Sequence, residues 1–432
     1  MVEYILIMAI GALASVLANR GVAVFNDGFR PLMPQYFEGK ISRAELAAMS
    51  FAISFGLVIG FGIPTSVAAS IILIHCILLT TDMIGTFCPD TTKGAILAAV
   101  IGALYGFLIL FGLQAVINFF AYLPYNFLDP LGKVSAPITV AFAIFPSIAL
   151  AYQHGFKKGL ISGILTILVY FATLRFGSFS LGSFNVTLNA TGMAMLFGMI
   201  LMIAFAATVK SEGQSTNQDL TNVFSKQVAR IQKNWPLLAL MGGLLAAATS
   251  LSIVAGDPTS LNLLDNGAYS DAAMAALARA IGFVPLVFTT AIATGVYGVA
   301  GCTFVFVVGL AFHGNPLLAG VLGAAVIVLE VFLINFFAKV MDTFPGVRDM
   351  GEHIRTAMNK VLEMALLIGS AMAAEAMVSG VGSLFVIGCY LLNRSSKKPI
   401  VDLAVGPVAA ILFGILINIL VVVGLYVLPV VG

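Results

Sequence analysis

The chain has 432 residues, of which 60% are hydrophobic and only 9% are charged, and its formal net charge is +2. A soluble domain carries roughly a quarter charged residues, so this composition excludes a water-soluble globular protein and predicts one that lives in the lipid bilayer. Because no basic run is available to follow a phosphate backbone, the sequence also excludes a nucleic-acid partner.

Long apolar runs predict the helices. A helix needs about 20 mostly apolar residues to span a bilayer, so we expect an all-α polytopic membrane protein with roughly 10–14 transmembrane or re-entrant helices. Several runs are too short or too closely spaced to be independent spans. The candidate segments are 3–19, 47–62, 65–87, 94–118, 134–153, 157–174, 190–209, 236–254, 272–293, 296–312, 315–341, 355–379, 380–392 and 403–428.

A break in helical structure is predicted between Gly60 and Ser66, where Pro64 removes a backbone donor. Unpaired backbone groups inside a membrane are tolerated only where they line a cavity or are buried in protein. The break, with the hydroxyl groups of Thr65 and Ser66, is therefore a candidate solute-binding segment. The run continues to Asp82, which we interpret either as the tip of a re-entrant hairpin or as a helix N-cap at the membrane surface.

The one long hydrophilic stretch runs from Lys210 to Trp235. Apolar residues recur there at helical spacing opposite basic ones, which predicts an amphipathic helix on the membrane surface with Trp235 as its anchor. A linker resting on lipid headgroups is the preferred interpretation, and a helix that docks a partner is the alternative. The stretch divides the chain into a first membrane repeat (1–209), an amphipathic cytoplasmic linker (210–235) and a second membrane repeat (236–432).

Two observations favour opposite orientations for the two halves. Residues 59–66 are echoed by 281–290, although chance similarity between apolar segments explains this equally well. Loop charge gives independent support, because basic residues mark cytoplasmic loops. Basic residues cluster around 157–158, 210–233 and 394–398 and are absent from 176–190 and 255–270. The first half would then begin outside and the second inside, as in the inverted repeats of many secondary transporters.

The segment from Gly282 to Phe304 is the most informative part of the sequence. Pro285 and three later glycines weaken helical continuity, and hydroxyl groups accompany them. A broken helix of this kind can hold a polar solute or an ion. The alternative is tight packing through small residues, with threonines bonded back to the helix. The candidate substrate-binding hydroxyls are Thr289, Thr290, Thr294 and Tyr297, together with Thr65 and Ser66 of the first half.

Acidic residues at membrane depth are candidates for ion coupling. Glu330 lies in the middle of an apolar run, and a carboxylate there costs about 2.5 kcal/mol or more unless it is protonated, paired or facing water. With Asn335 on the same helix, it is a candidate for coupling to H⁺ or Na⁺, and a structural hydrogen bond is the alternative. Asp82 is a second candidate. Glu363 is a weaker one because it ends an interfacial polar stripe with a spacing of four.

Motifs that carry catalysis or nucleotide hydrolysis are missing from the sequence. It contains no P-loop, no nucleophile elbow and no His-Glu-x-x-His. Its four cysteines and four histidines are scattered without metal-ligand spacing. We therefore expect no metal, no cofactor and no enzymatic activity.

Several stretches carry a family resemblance: Ala23–Pro31 with Pro34–Gln35, Thr81–Asp82 with Gly85, Gly282–Phe304, Ile354–Arg355 with Ala357–Asn359, and Glu363 with Ala365–Leu367. In register over nearly the whole chain, they resemble the YhfT family of bacterial inner-membrane proteins. The resemblance implies a transporter of unassigned substrate and, by analogy with phosphotransferase sugar permeases, an elevator-like homodimer. It marks matched positions as functional candidates, namely Asp27 and Arg30 for substrate binding and Asp82, Thr289, Thr290 and Glu363.

The leading hypothesis is a secondary transporter that moves a small polar solute across the bacterial cytoplasmic membrane by alternating access, coupled to H⁺ or Na⁺. The alternative is a permease subunit of a phosphotransferase-like sugar system, which would need a partner presenting a phosphocysteine. A membrane-embedded enzyme on a lipid-linked substrate is disfavoured because the loops are short and the intramembrane charges dispersed. A passive channel is disfavoured because paired broken helices suit a closed binding site.

Overall fold

The computed structural model of the chain is almost entirely helical, which confirms the all-α prediction. The residues that it describes are 1–26, 29–134, 136–181, 184–188, 190–209, 226–298, 304–343, 345–397, 399–400 and 402–428.

The first half begins with a helix, a short irregular stretch and a helix that is broken twice. Its described elements are α1 (Val2–Asn19), a 3-10 turn (Arg30–Leu32), α2 (Met33–Phe37), α3 (Arg43–Leu57), a π-helical turn (Val58–Gly62), α4 (Ile63–Ala69), β1 (Ile72–Leu73), α5 (His75–Phe87), α6 (Thr92–Ala121), α7 (Leu128–Gly132), α8 (Ala136–His154), α9 (Phe156–Phe176), β2 (Ser178–Leu181), β3 (Phe184–Thr187) and α10 (Ala190–Ala207).

The second half follows a short linker helix, α11, over residues 226–233. Its described elements are α12 (Trp235–Ser250), β4 (Val254–Ala255), α13 (Pro258–Asp265), α14 (Tyr269–Thr294), α15 (Phe304–Ala311), α16 (Pro316–Thr343), α17 (Pro345–Met377), α18 (Gly382–Ser395) and α19 (Asp402–Val422).

Seven of the described helices are long and apolar enough to cross a membrane, which makes the chain a multi-pass membrane protein. They are α1, α6, α9, α10, α16, α17 (from Thr356) and α19. Helices α6 and α9 leave most of their apolar side chains exposed, as expected of helices that face lipid.

Small residues allow the long helices to approach closely. Gly11 of α1 lies against Gly102 of α6, and Gly242 of α12 lies against Gly323 of α16. A Cβ atom at any of these positions would overlap the backbone or a side chain of the facing helix. Helix pairs in membranes pack through such residues, because lipid supplies no hydrophobic force to drive apolar helices together.

Two predicted spans are interrupted. The run 65–87 is not one helix, because α4 ends at Ala69 and the chain is extended before α5 begins at His75. In the predicted span 296–312, α15 begins at Phe304, and 299–303 lie outside the described residues. The predicted external loop 176–190 contains an antiparallel hairpin, in which Ser178 pairs with Thr187.

The described part of the linker helix α11 packs against protein. Val228 and Ile231 of its predicted apolar face are buried in the core that also contains Ile292 and Tyr297. The position of the linker at the membrane surface stays a prediction. The first part of the predicted linker, 210–225, lies outside the described residues.

Candidate functional site

Four helices are each followed by a short unwound segment that begins at a residue of positive φ. These residues are Gly21 after α1 (φ 60°), Ser70 after α4 (55°), Ser252 after α12 (55°) and Gly295 after α14 (67°). The left-handed conformation costs a non-glycine residue about 1–2 kcal/mol. Ser70 and Ser252 therefore hold a strained backbone that the surrounding structure must impose.

The unwound segments pair in parallel, and each pair joins one half of the chain to the other. In the β1/β4 pair, Ile72 lies opposite Val254 and Leu73 opposite Ala255. In the 23/297 pair, Ala23 lies opposite Tyr297. Backbone groups inside a membrane must find partners within the protein, and these pairings supply them. The bonds are Ile72 N–H to Ile253 O (3.0 Å), Ile74 N–H to Ala255 O (2.9 Å), Val24 N–H to Tyr297 O (2.8 Å) and Tyr297 N–H to Val22 O (3.0 Å).

Asp82 holds the unwound segment that follows α1. Its fully buried carboxylate accepts hydrogen bonds from the backbone amides of Phe25 (2.9 Å) and Asn26 (2.8 Å). The Asn26 side chain in turn donates to the hydroxyl of Ser54 on α3 (2.9 Å). Asp82 lies in the interior of α5, so it is neither the tip of a hairpin nor an N-cap. Its carboxylate fixes a piece of backbone.

Arg30 packs against the second-half segment of the 23/297 pair, at Gly298. The side chain is almost fully buried, and its Nε donates to the carbonyl of Val24 (3.2 Å). Its guanidinium group lies against Gly298, where no Cβ atom could be accommodated. A positive charge is therefore held beside the unwound backbone that follows α14.

Tyr297 and Glu330 form a buried hydrogen bond at the same place. The Tyr297 hydroxyl donates to Oε2 of Glu330, and the backbone amide of Phe304 at the start of α15 also interacts with this carboxyl group. Oε1 of Glu330 is buried and has no hydrogen-bond partner among the described residues. The carboxyl group thus links the long helix α16 to the unwound segment before α15.

A buried ion pair lies beside the β1/β4 pair. Asp257 accepts from the guanidinium group of Arg279 on α14 (3.1 Å), and the two side chains are 2% and 5% exposed. Asp257 also caps α13 by accepting from the Ser260 amide (2.9 Å) and hydroxyl (2.7 Å). The guanidinium group lies over the ring of Phe283. Each charge is thereby neutralised within the protein.

The Asp257–Arg279 pair occupies the same place in the second half as the Asn26–Ser54 pair in the first. Asn26 follows Gly21 by five residues, and Asp257 follows Ser252 by five. Ser54 precedes Ser70 by sixteen residues, and Arg279 precedes Gly295 by sixteen. In both halves a polar side chain after the first unwound segment therefore binds the helix that leads into the second.

Comparison with known sequences agrees with the resemblance noted above. Residues 3–426 match the YhfT family, which is described as a protein of unknown function. The chain belongs to this family. It is 36% identical to the uncharacterized protein YhfT of Escherichia coli (strain K12), and the match covers 99% of each chain. No solved structure matches the chain.

The predicted substrate-binding hydroxyls of this YhfT-family chain serve local structure where they are described. Thr65 donates to the Phe61 carbonyl, and Ser66 donates to the Gly62 carbonyl, both at 2.7 Å. Ser66 also accepts from the Leu73 amide (2.8 Å) and so fixes the start of β1. The sequence left such back-bonding open as an alternative only for the threonines of Gly282–Phe304.

The side chains of three further predicted substrate-binding residues are not described. A fourth residue, Thr294, lies where α14 meets the unwound segment. Thr289 and Thr290 belong to α14, but their side chains are not among those described, and neither is Asp27. Thr294 ends α14, and its hydroxyl accepts from the amide of Val296 (3.3 Å) in the unwound segment. The assignment of these four residues to substrate binding stays a prediction.

Glu363 and Asn335 lie apart from the unwound segments of the YhfT-family fold. The Glu363 carboxylate accepts from Lys360 (3.1 Å) on its own helix and from Tyr390 of α18 (2.9 Å). Asn335 is exposed on α16, about 140° around the helix from Glu330. The structure therefore groups Asp82, Arg30, Tyr297 and Glu330 around the 23/297 pair and leaves these two outside the group.

Sequence reasoning missed the Asp257–Arg279 pair, although both residues carried a signal. Arg279 is a charge inside an apolar run, which marks a partnered or functional side chain. Asp257 is followed by proline and, three residues later, by Ser260, which is typical of a helix N-terminus. The two were not connected because they lie 22 residues apart on separate elements.

The linker helix α11 of the YhfT-family chain covers one side of this region. Arg230 donates to the carbonyl of Gly21 (3.0 Å), and its guanidinium group lies 3.6 Å from the centre of the Phe37 ring. Gln227 packs against Gly295, and Gln232 donates to the carbonyl of Val331 (3.4 Å). Burial lowers the pKa of Arg230, and the charge of Asp90 opposes that shift.

Proposed function

We propose that this YhfT-family protein is a secondary-active transporter that moves a small polar solute across the bacterial cytoplasmic membrane by alternating access. The observation that carries the proposal is the set of four unwound segments, paired between the halves, with Arg30, Asp82, Tyr297 and Glu330 grouped around the 23/297 pair. Unwound backbone and ionisable side chains at membrane depth are typical of solute and ion sites in secondary transporters.

We further propose that the two halves are an inverted repeat. Helix α1 packs against α5 and α6, as α12 packs against α15 and α16. Helix α8 packs against α9 and α10, as α17 packs against α18 and α19. The positive-φ residues support the same correspondence, since Gly155 separates α8 from α9 (φ 88°) and Gly380 separates α17 from α18 (φ 79°).

An odd number of crossings in the first half would make the repeat inverted. If α3 and α4 cross together as one broken helix, the crossings before the linker are α1, α3–α4, α5, α6, α8, α9 and α10. The second half would then start from the opposite side of the membrane. Lys157 and Lys158 follow Gly155, whereas no basic residue lies within ten positions of Gly380, which supports opposite sides for these equivalent turns.

The proposed mechanism is an elevator in a homodimer. Helices α1–α6 and α12–α16 would carry the unwound segments, and α8–α10 with α17–α19 would provide the surface against which they move. Coupling to H⁺ or Na⁺ would take place at Glu330, which joins α16 to the unwound segment through Tyr297. The alternative of a phosphotransferase-like permease would share this architecture and differs in needing a phosphoryl donor.

Reconstitution tests the transport proposal. The purified protein in proteoliposomes should accumulate at least one labelled sugar, carboxylate or amino acid when a pH or Na⁺ gradient is imposed. Accumulation that requires a phosphoryl donor would favour the permease alternative. Equilibration that no gradient affects would indicate a channel and contradict the proposal.

Labelling tests the inverted repeat independently of any solute. In a variant without native cysteines, Lys157→Cys should react with an impermeant maleimide from the cytoplasmic side and Val381→Cys from the external side. Both side chains are exposed in turns that the repeat makes equivalent. Reaction of both from the same side would contradict the inverted repeat.

A further inference from the structure

We infer that the coupling ion is a proton and that the Glu330 carboxyl group itself carries it. This inference rests on the proposed transport function, for which it names the coupling ion. It depends on the groups that surround the carboxyl group, on its burial and on its connection to the 23/297 pair.

The described groups around Glu330 are hydrogen-bond donors. Oε2 accepts from the Tyr297 hydroxyl, the Phe304 amide also interacts with the carboxyl group, and the Arg30 guanidinium group lies against Gly298, next to Tyr297 in the chain. A hard cation such as Na⁺ prefers a shell of several oxygen ligands, about six for the larger ions. Within the described chain, no group of three or more histidine, cysteine, aspartate or glutamate side chains is placed to hold a cation. A proton needs no ligand beyond the carboxyl oxygen.

Helices α12, α14 and α15 bring apolar side chains to the surroundings of Glu330, whereas the linker helix α11, which carries Arg230 and Lys233, reaches the carbonyl of Val331 through Gln232. On α16 itself Ile327, Val331 and Ile334 are fully buried around it. Neither α12 nor α15 contains a titratable residue, and α14 meets α16 through Phe288, whose ring stacks on Phe337. Helix α16 meets α17 at a point about 20 Å from Glu330 along the α16 axis. A charged carboxylate is poorly solvated in these surroundings, so the neutral form is favoured whenever no water or solute reaches it.

Protonation of Glu330 would be communicated to the unwound segments through Tyr297. The hydroxyl of this residue binds Glu330, while its backbone exchanges hydrogen bonds with Val22 and Val24. The ionised carboxylate accepts a strong hydrogen bond from the Tyr297 hydroxyl, and the neutral acid accepts a weak one, because charge-assisted hydrogen bonds are about twice as strong as neutral ones. The protonation state therefore sets how firmly α16 holds the 23/297 pair.

In the first half, one contact between a long helix and a short one is made by a tyrosine instead of a carboxylate. Tyr105 of α6 donates to the carbonyl of Cys76 in the first turn of α5 (2.7 Å) and accepts from Thr80 (3.0 Å). This contact cannot bind or release a proton at physiological pH, since an unperturbed tyrosine titrates near pH 10. It provides a control contact that should not couple.

Infrared difference spectroscopy of the reconstituted protein tests the inference without a known solute. We expect a pH-dependent C=O band of a protonated carboxylic acid that is lost in Glu330→Gln and kept in Glu363→Gln, whose carboxylate is paired with Lys360. Tyr297→Phe should keep the band and shift it to higher frequency, because the hydrogen bond is lost. Absence of the band in the wild type, or its loss on addition of NaCl but not KCl, would overturn the inference.

Flux measurements separate this inference from the proposed function. If the band depends on Glu330 but the protein accumulates no solute, the proposed transport function is contradicted and the protonation of Glu330 is not. If a Na⁺ gradient drives accumulation and no band is assigned to Glu330, the proton as coupling ion is contradicted and the transport function is not. If both hold, Glu330→Gln should abolish accumulation driven by a pH gradient and retain solute exchange, while Tyr105→Phe should retain pH-driven accumulation.

Discussion

Arg279 and Asp257 form an ion pair of 3.1 Å in the buried interior, at the place where Asn26 and Ser54 form a neutral hydrogen bond of 2.9 Å in the other half. Both pairs tie the segment after the first helix of a half to the helix that leads into the next unwound segment. The chain thus contains a neutral version of its own ion pair, and this gives a matched substitution.

Removing one member of the ion pair should lower the free energy of unfolding far more than replacing both members. Arg279→Ser leaves the Asp257 carboxylate buried without its counter-ion, which should lower the free energy of unfolding by about 3–5 kcal/mol. Asp257→Asn with Arg279→Ser recreates the neutral pair and keeps a good N-cap, so it should recover most of that loss. Thermal unfolding in detergent measures this, and equal stability of the single and double variants would contradict the proposed equivalence.

Asp82 should act through the backbone that it holds. Asp82→Asn removes the charge that the amides of Phe25 and Asn26 bind, and it puts an NH₂ group in place of one of the two accepting oxygens, Oδ1 (Phe25, 3.1 Å) or Oδ2 (Phe25, 2.9 Å; Asn26, 2.8 Å). Bonds to a charged acceptor contribute about 1.5–3 kcal/mol each. The melting temperature should therefore fall, whereas the exposed Asp129→Asn should leave it unchanged. A melting temperature for Asp82→Asn equal to that of the wild type would refute a positioning role.

Gly298 should not tolerate a side chain. Gly298→Ala places a methyl group where the guanidinium group of Arg30 lies, and such overpacking costs about 1–3 kcal/mol. At Gly112 on α6 nothing lies within 4 Å of a built Cβ atom, so Gly112→Ala should instead be neutral or stabilising by about 0.5–1 kcal/mol. Unfolding measured side by side should give opposite signs, and a stable Gly298→Ala would mean that Arg30 moves freely.

Arg230 should protect the backbone beneath the linker helix. Arg230→Ala removes the donor to the Gly21 carbonyl and the contact with Phe37. A hydrogen bond from a charged donor is worth about 1.5–3 kcal/mol, so amide exchange in residues 21–24 should accelerate about tenfold or more. Mass spectrometry of exchanged peptides measures this. Lys233→Ala, on the exposed face of the same helix, is the control, and equal rates in the two variants would show that α11 does not restrain the segment.

Helix positions were largely predictable because apolar length is a local property. The run 190–209 predicted α10 (Ala190–Ala207) closely, and the run 157–174 predicted α9. The extended segment before α5 was missed, because Ile72 and Leu73 are as apolar as a helix and the turn depends on Ser70, which is not a residue that favours positive φ. The local sequence carries no sign that β4, about 180 residues away, pairs with this segment.

The acidic residues of the site were recognisable, but their roles were not. Glu330 was found because a carboxylate in an apolar run requires an explanation, and its partner Tyr297 was named separately. Asp82 was interpreted as a hairpin tip or a helix N-cap because its binding partners, Phe25 and Asn26, lie 57 and 56 residues earlier and could not be connected with it. The packing of Val228 and Ile231 against protein was not predicted, because an amphipathic pattern shows that one face is covered and does not show what covers it.

In the proposed transporter, the unequal polar pairs also affect the relative free energies of the inward-open and outward-open states. Two identical inverted halves would exchange roles between the inward-open and outward-open states, so the two states would be degenerate in free energy. A neutral pair in one half and an ionic pair in the other would lift this degeneracy. Water that enters on the side of the ionic pair stabilises its separated charges, whereas water on the other side stabilises the separated neutral groups less. The resting bias of such a carrier would then be set by residues 26, 54, 257 and 279, and it could be reversed by exchanging the two pairs.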